Sequence, residues 1–179
     1  TALPDFIRWY APFQRRTGFV PCCVDRNGPD WLVEHDSHGQ LIYGVAESHR
    51  FTGDRDFLKE LWPHVRKAAK FLVKLRAQRL TAEYSEPDKI NRFGLLPESA
   101  SHEGYLAHPV HSYWDDFFAL RGYKDAATLA SMLGDPDAAR YAAMRDEFAR
   151  DLGTSIGRAM RHHRIAFIPG AADLGDFDP

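Results

Sequence analysis

Three acid- and aromatic-rich stretches hold the groups of this chain that could do chemistry. The first carries Asp25, Asp30, Trp31, Glu34 and Asp36. The second carries Glu98, His102, Glu103, Tyr105, His108, His111, Tyr113, Trp114, Asp115 and Asp116. The third carries Asp173, Asp176 and Asp178. Cleaving a glycosidic bond takes one carboxylic acid to protonate the leaving oxygen and one carboxylate to activate water or to attack. A sugar ring also asks for flat apolar faces beside a few well-placed polar groups. This mixture suits carbohydrate better than phosphate, for which no glycine-rich loop is present.

Among the acids, Glu98 stands out. It follows the run Gly94-Leu95-Leu96-Pro97 and lies too far ahead of the next helix to cap it. Asp115 and Asp116 carry two open readings, catalyst or cap of the helix that follows them, and Asp36 has the same capping alternative near Ser37. Trp114 either packs between helices or faces a ligand. The spacings His35-Asp-Ser-His38 and His108-Pro-Val-His111 do not form a His-Glu-x-x-His helix and have no cysteine nearby, so hydrogen bonding to sugar hydroxyls or carboxylates is favoured over a metal. No metal site and no cofactor are assigned. Gly-x-Ser-x-Gly is missing. The two cysteines, Cys22 and Cys23, are adjacent. They can close only a strained ring, give no framework or zinc site by themselves, and read as small loop residues.

Helices must position these loops. Phe6, Ile7, Tyr10 and Phe13 mark a first helix over residues 4–16, and a long loop runs over 18–37. Leu41, Ile42, Val45 and Ala46 stripe a helix over 38–51. Phe57, Leu58, Leu61, Val65, Ala68, Ala69, Leu72 and Leu75 stripe another over 54–80, where Pro63 starts a turn or kinks the helix. Lys67, Lys70, Lys74 and Arg76 read as its solvated face. After a second long loop, helices are expected over 115–133 and 136–162, Pro136 suiting a first turn behind Asp135. Residues 165–168 read as extended. Gly53-Asp54 and Gly134-Asp135 make short turns, so the fold is expected to be all-α. Two helical hairpins, near 38–80 and 115–162, then place their turns at one end and their long loops at the other, where a site would form.

Composition sets outer bounds. The chain has 179 residues, an apolar share of 44%, a charged share of 27% and a net charge of −2. That gives nucleic-acid binding no electrostatic support, and apolar runs are far too short to span a membrane. The chain begins without Met and stops inside an acidic loop, so residues 1–179 read as a piece of a larger protein, with its compartment left open.

Asp36-Ser-His-Gly-Gln-Leu-Ile-Tyr-Gly, Arg50-Phe-Thr-Gly-Asp and Leu61-Trp62-Pro63-His resemble the loop–helix–turn–helix unit of the six-hairpin glycosidase superfamily. These are the (α/α)6 toroids that include glucoamylases and trehalases. Tyr113-Trp-Asp-Asp-Phe-Phe-Ala-Leu-Arg-Gly-Tyr-Lys-Asp-Ala is similar to the following unit in bacterial members, and the run from Gly170 to Asp178 resembles the loop leading to the next hairpin. The resemblance spans nearly the whole chain and implies part of one toroid domain within a glycoside hydrolase. It implies Glu98 as general acid, with Asp115 and Asp116 the other catalytic candidates, and Asp36 as the residue that holds the innermost sugar. Trp31, Glu34, His38, His111, Tyr113 and Trp114 are the further substrate-binding candidates. A general base from a later hairpin is implied, as are inversion with carboxyls about 6.5–9.5 Å apart, a carbohydrate substrate, and the remainder of the toroid as partner. Two alternatives stay open: a carbohydrate-binding toroid without catalysis, and a polysaccharide lyase using Tyr105, Tyr113 or His111 as base.

Overall fold

A computed structural model describes residues 2–175, so Asp176 and Asp178 of the third acidic loop lie outside the described residues. The fold is all-α apart from one two-stranded ribbon. Helix α1 (Ala2–Tyr10) ends in a 3-10 turn at Ala11–Phe13. A ribbon of β1 (Cys23–Asp25) and β2 (Gly28–Asp30) follows, then α2 (Asp36–Thr52), α3 (Arg55–Ala77), α4 (Tyr113–Leu133) and α5 (Ala138–His163). The ribbon lies inside what reads as a loop. Its strands are three residues each, too short for periodicity to show, and its turn rests on Asn27 N donating to Asp25 Oδ1 at 2.7 Å.

Both hairpin turns form as their chemistry dictates. Gly53 (φ 66°) and Gly134 (φ 68°) take the left-handed conformation that ends α2 and α4. Asp54 then caps α3, accepting from Asp56 N and Phe57 N at 3.0 and 2.9 Å. Asp135 accepts from Asp137 N at 2.8 Å and from Trp62 Nε1 at 2.9 Å. Arg55 Nη2 reaches Met132 O at 2.9 Å. These cross-links put the two turns at the same end, so α2 and α4 run parallel and their N-termini meet at the opposite end.

The crossing of α2 and α4 is tight because glycine allows it. A Cβ on Gly39 would lie 2.0 Å from Phe118 O, and one on Gly122 would lie 3.0 Å from Gly39 Cα. Around this crossing the apolar stripes close into a core of Ile42 and Val45 from α2, Leu58 and Leu72 from α3, Ala126 and Leu129 from α4, and Phe148 from α5. Phe57 and Phe148 are 1% and 0% exposed, and each contributes roughly 2–3 kcal/mol by burial. A smaller cluster of Leu95, Tyr113, Leu152, Ala159 and Ala172 sits under the loops.

Several expectations need correction. Arg76 is not on a solvated face. It is 6% exposed, its Nε donates to Gly94 O at 3.0 Å, and its guanidinium pairs with Asp151. Pro63 sits exposed inside an unbroken α3. Residues 165–168 form no strand; the bridge in that region pairs Ser112 with Ala171. Among the described residues no helix is long and apolar enough to cross a membrane.

Candidate functional site

At the N-terminal ends of α2 and α4 the loops are laced together by backbone bonds. Ala100 N donates to Val33 O at 3.0 Å, Ser99 and Val110 exchange both bonds, Tyr113 N donates to Gly170 O at 2.8 Å, and Ala172 N donates to His111 O at 3.0 Å. Segments distant in sequence thus form one surface over the helix ends.

Beneath that surface lie Asp115 and Asp116. Neither caps α4: the N-cap is Ser112, whose side chain makes no capping bond, and both acids fall in the first helical turn. There the helix dipole favours a carboxylate. Asp115 is 1% exposed. One of its oxygens accepts from Ser99 Oγ and from His35 N at 3.4 Å, and the other from Ser101 Oγ at 3.1 Å. Burial, with the charge of Asp36 adding to it, pushes its carboxyl up to about 7. Asp116 is fully buried; its Oδ1 accepts from Leu96 N at 2.9 Å, and burial pushes its carboxyl well above the usual range. Its Oδ2 has no partner among the described residues, which suits a neutral acid. Both side chains pin the 95–101 loop to α4 and present no face to a substrate. Ser101 adopts φ 50°, a conformation that costs a non-glycine residue about 1–2 kcal/mol. Its bonds to Ser99, Ser112 and Asp115 hold it there.

Above this buried tie, two groups of side chains face outward. In the first, Glu98 (41% exposed side chain) pairs with Arg79 Nη2, and its Oε1 lies 3.4 Å from His111 Nε2. Arg79 Nε donates to that same Nε2 at 3.0 Å, so His111 carries its proton on Nδ1 and donates it to Asp173 Oδ2 at 3.0 Å. Arg92 closes the chain on Asp173 Oδ1 at 2.7 Å. Partial burial raises the Glu98 carboxyl, but a backbone N–H and the Arg79 guanidinium outweigh burial and hold it below its ordinary range. Asp173 behaves the same way; burial is outweighed by His111 and Arg92, which hold it at about 2.

The second group centres on Trp114, which is 38% exposed and stacks on His102 with centroids 6.1 Å apart. Its Nε1 donates to Asp36 Oδ2 at 2.8 Å, and Gln40 Nε2 donates to the same oxygen at 2.6 Å. Asp36 is therefore the first residue of α2 and an anchor for the indole rather than a cap. Its carboxyl is raised by burial. Glu34 lies 3.8 Å from His102 Nδ1; burial and the charge of Asp36 raise its carboxyl.

The other candidates fall elsewhere. His38 is a core residue: fully buried, stacked on Phe71 at 4.8 Å, and bonded to His35 O and Val20 N. Burial lowers it to about 4, so it stays neutral. Tyr113 is 1% exposed and its hydroxyl is bonded to Ser155 Oγ at 2.8 Å, so it has no face for a sugar. Trp31 has the Arg15 guanidinium 3.8 Å over its ring. His111 is buried and serves the Glu98 group from below. Arg79, Arg92, Ser99 and Ser101 are the members of the site that sequence reasoning passes over. Arg79 does leave a trace, since it follows the last striped residue of α3 and has no place in the helix surface.

With that geometry in hand, comparison with protein-family models and with curated proteins gives no match.

Proposed function

We propose that this chain is part of a glycoside hydrolase catalytic domain built as an (α/α)6 toroid, with its carbohydrate cleft at the N-terminal ends of α2 and α4. One observation carries the reading. Two carboxyls, the largely covered Glu34 (16% exposed side chain) and the more open Glu98 (41%), are chain neighbours of the two groups, His35 N and Ser99 Oγ, that converge on a single oxygen of Asp115. Their surroundings displace them in opposite directions, Glu34 upward and Glu98 downward. Acid–base cleavage of a glycosidic bond uses two carboxyls whose surroundings push their proton affinities apart in this way.

Roles follow from those directions. Glu34, beside the exposed Trp114 face, is the proton donor to the leaving oxygen. Glu98, held ionised by Arg79, is the carboxylate that activates water. This reverses the role the resemblance implies for Glu98: a general acid must hold its proton, and Arg79 favours its loss. Trp114 stacks against a ring. Asp115 is a positioning residue, and Asp116 pins the loop beneath it. Two apolar flanks favour further hairpins completing the ring: Phe6 and Trp9 of α1 are 52% and 49% exposed, and Met132 of α4 is 42% exposed. The lyase alternative gains no support from Tyr113 or His111, both buried.

The test is steady-state kinetics on aryl α- and β-glycosides with leaving groups of graded acidity. Glu98→Gln should cut turnover at least about a hundredfold on every substrate, with sugar affinity held within about tenfold. Glu34→Gln should do so only where the leaving group is poor. If both variants keep the wild-type rate, the hydrolase reading fails. If no substrate is turned over yet sugars bind, the non-catalytic toroid takes its place.

A further inference from the structure

Away from the loop cluster, the β1–β2 ribbon brings together the only two cysteines of the chain and a carboxylate. Cys23 is the cross-strand partner of Asp30, which puts their side chains on the same face. Cys22 N donates to Asp30 O at 3.3 Å, which tucks the preceding residue against the same strand end. The two Sγ atoms lie 3.6 Å apart, and one ligand atom from each of Cys22, Cys23 and Asp30 lies within 4.8 Å of the others. We infer that Cys22, Cys23 and Asp30 form a binding site for one thiophilic divalent cation of the zinc class.

The sulfur separation is the main argument. Two thiolates on a tetrahedral zinc, each about 2.3 Å from the metal, stand about 3.8 Å apart. The ribbon already holds the sulfurs within a few tenths of that spacing. A disulfide would need them at about 2.05 Å across a strained eight-membered ring. The surroundings favour a cation as well. A cation is drawn by the Asp30 carboxylate, and the metal–sulfur bonds form as each thiol gives its proton to solvent. Asp30 is oriented for the task, because Oδ1 accepts from Leu32 N at 2.9 Å, which leaves Oδ2 for the metal. The fourth position is open to water. Sulfur ligands select against magnesium and calcium, which take oxygen.

This site is independent of the hydrolase reading, and its test uses no activity. The reduced protein is titrated with cadmium, following the thiolate-to-metal charge-transfer band in the ultraviolet, and zinc is then added as competitor. The expected result is one cadmium per chain, displaced by zinc, with a rise in melting temperature on zinc addition. Cys22→Ser and Cys23→Ser should each abolish the band's saturation at one equivalent, and Asp30→Asn should weaken binding about tenfold or more. These positions lie on an exposed ribbon, and a melt of each metal-free variant checks that it folds. The inference is overturned by no band in the reduced wild type, by one cadmium shared between two chains, or by wild-type affinity in any of the three variants.

Discussion

Asp115→Asn should stabilise the protein at alkaline pH and leave it nearly unchanged in acid. In the folded chain the Asp115 carboxyl is pushed from its ordinary 3.8 up to about 7. A carboxyl raised in this way holds its proton more tightly folded than unfolded. Its stabilising protonation is fully present below pH 3.8, is lost as pH rises toward 7, and is gone above that. At roughly 1.4 kcal/mol per pH unit, the span corresponds to about 4 kcal/mol. Asparagine cannot ionise, keeps an oxygen for a serine hydroxyl, and escapes the loss. The variant should therefore gain roughly 3–4 kcal/mol on wild type between pH 4 and pH 8. His35 and His38, lowered by burial to about 3 and about 4, impose the opposite slope. That slope is common to both proteins and cancels in the difference between them, which reads Asp115 together with the relief of its charge on Asp116. Asp115→Ala supplies the contrast. It removes the carboxyl that accepts from the buried Ser99 and Ser101 hydroxyls and from His35 N, leaves a cavity, and should destabilise by about 3 kcal/mol or more at pH 5. Urea unfolding of the three proteins from pH 4 to 8 is the assay. Parallel curves for wild type and Asp115→Asn would refute the buried-acid account.

Gly39→Ala should destabilise by about 3 kcal/mol or more in the same assay, because its Cβ would meet Phe118 O at 2.0 Å and backbone cannot step aside. Removing the guanidinium with Arg79→Met should let the Glu98 carboxyl rise, shifting the acidic limb of the pH–rate profile, or its carboxyl resonance in NMR, to higher pH. Trp114→Ala should weaken oligosaccharide binding by about tenfold, read by calorimetry, while Trp31→Ala, whose ring is already covered by Arg15, should change it little.

The sequence shows helices far better than it shows the site. Stripes such as Leu58-Leu61-Val65-Leu72 and the Gly-Asp turns announce the hairpins, because period and turn chemistry are local. Helix starts are less legible: Asp36 and Tyr113 open α2 and α4 on polar turns that carry no stripe. The acids Asp115 and Asp116 read equally as catalysts or caps, since their neighbours in sequence say nothing of Ser99, Leu96 or Ser101, which meet them only on folding. Arg76 and Arg79 sit among lysines that do face water, and only the return of Gly94, Glu98 and His111 toward the end of α3 separates them from that face. His38 shows the same limit from the other side, a polar residue at the start of a helix that tertiary packing has taken into the core.

The backbone lacing of the loops has a consequence for how the surface moves. Loops ordinarily open one at a time, at little cost, and their amides exchange quickly. Here the bonds Ala100–Val33, Tyr113–Gly170 and Ala172–His111 join different loops, and the Ser99–Val110 pair closes the loop between α3 and α4 on itself. None of these segments can leave without its neighbours. Their amides should exchange with deuterium together, as one cooperative unit with the N-terminal turns of α2 and α4, and the outward-facing side chains ride on a floor that opens as a whole or not at all.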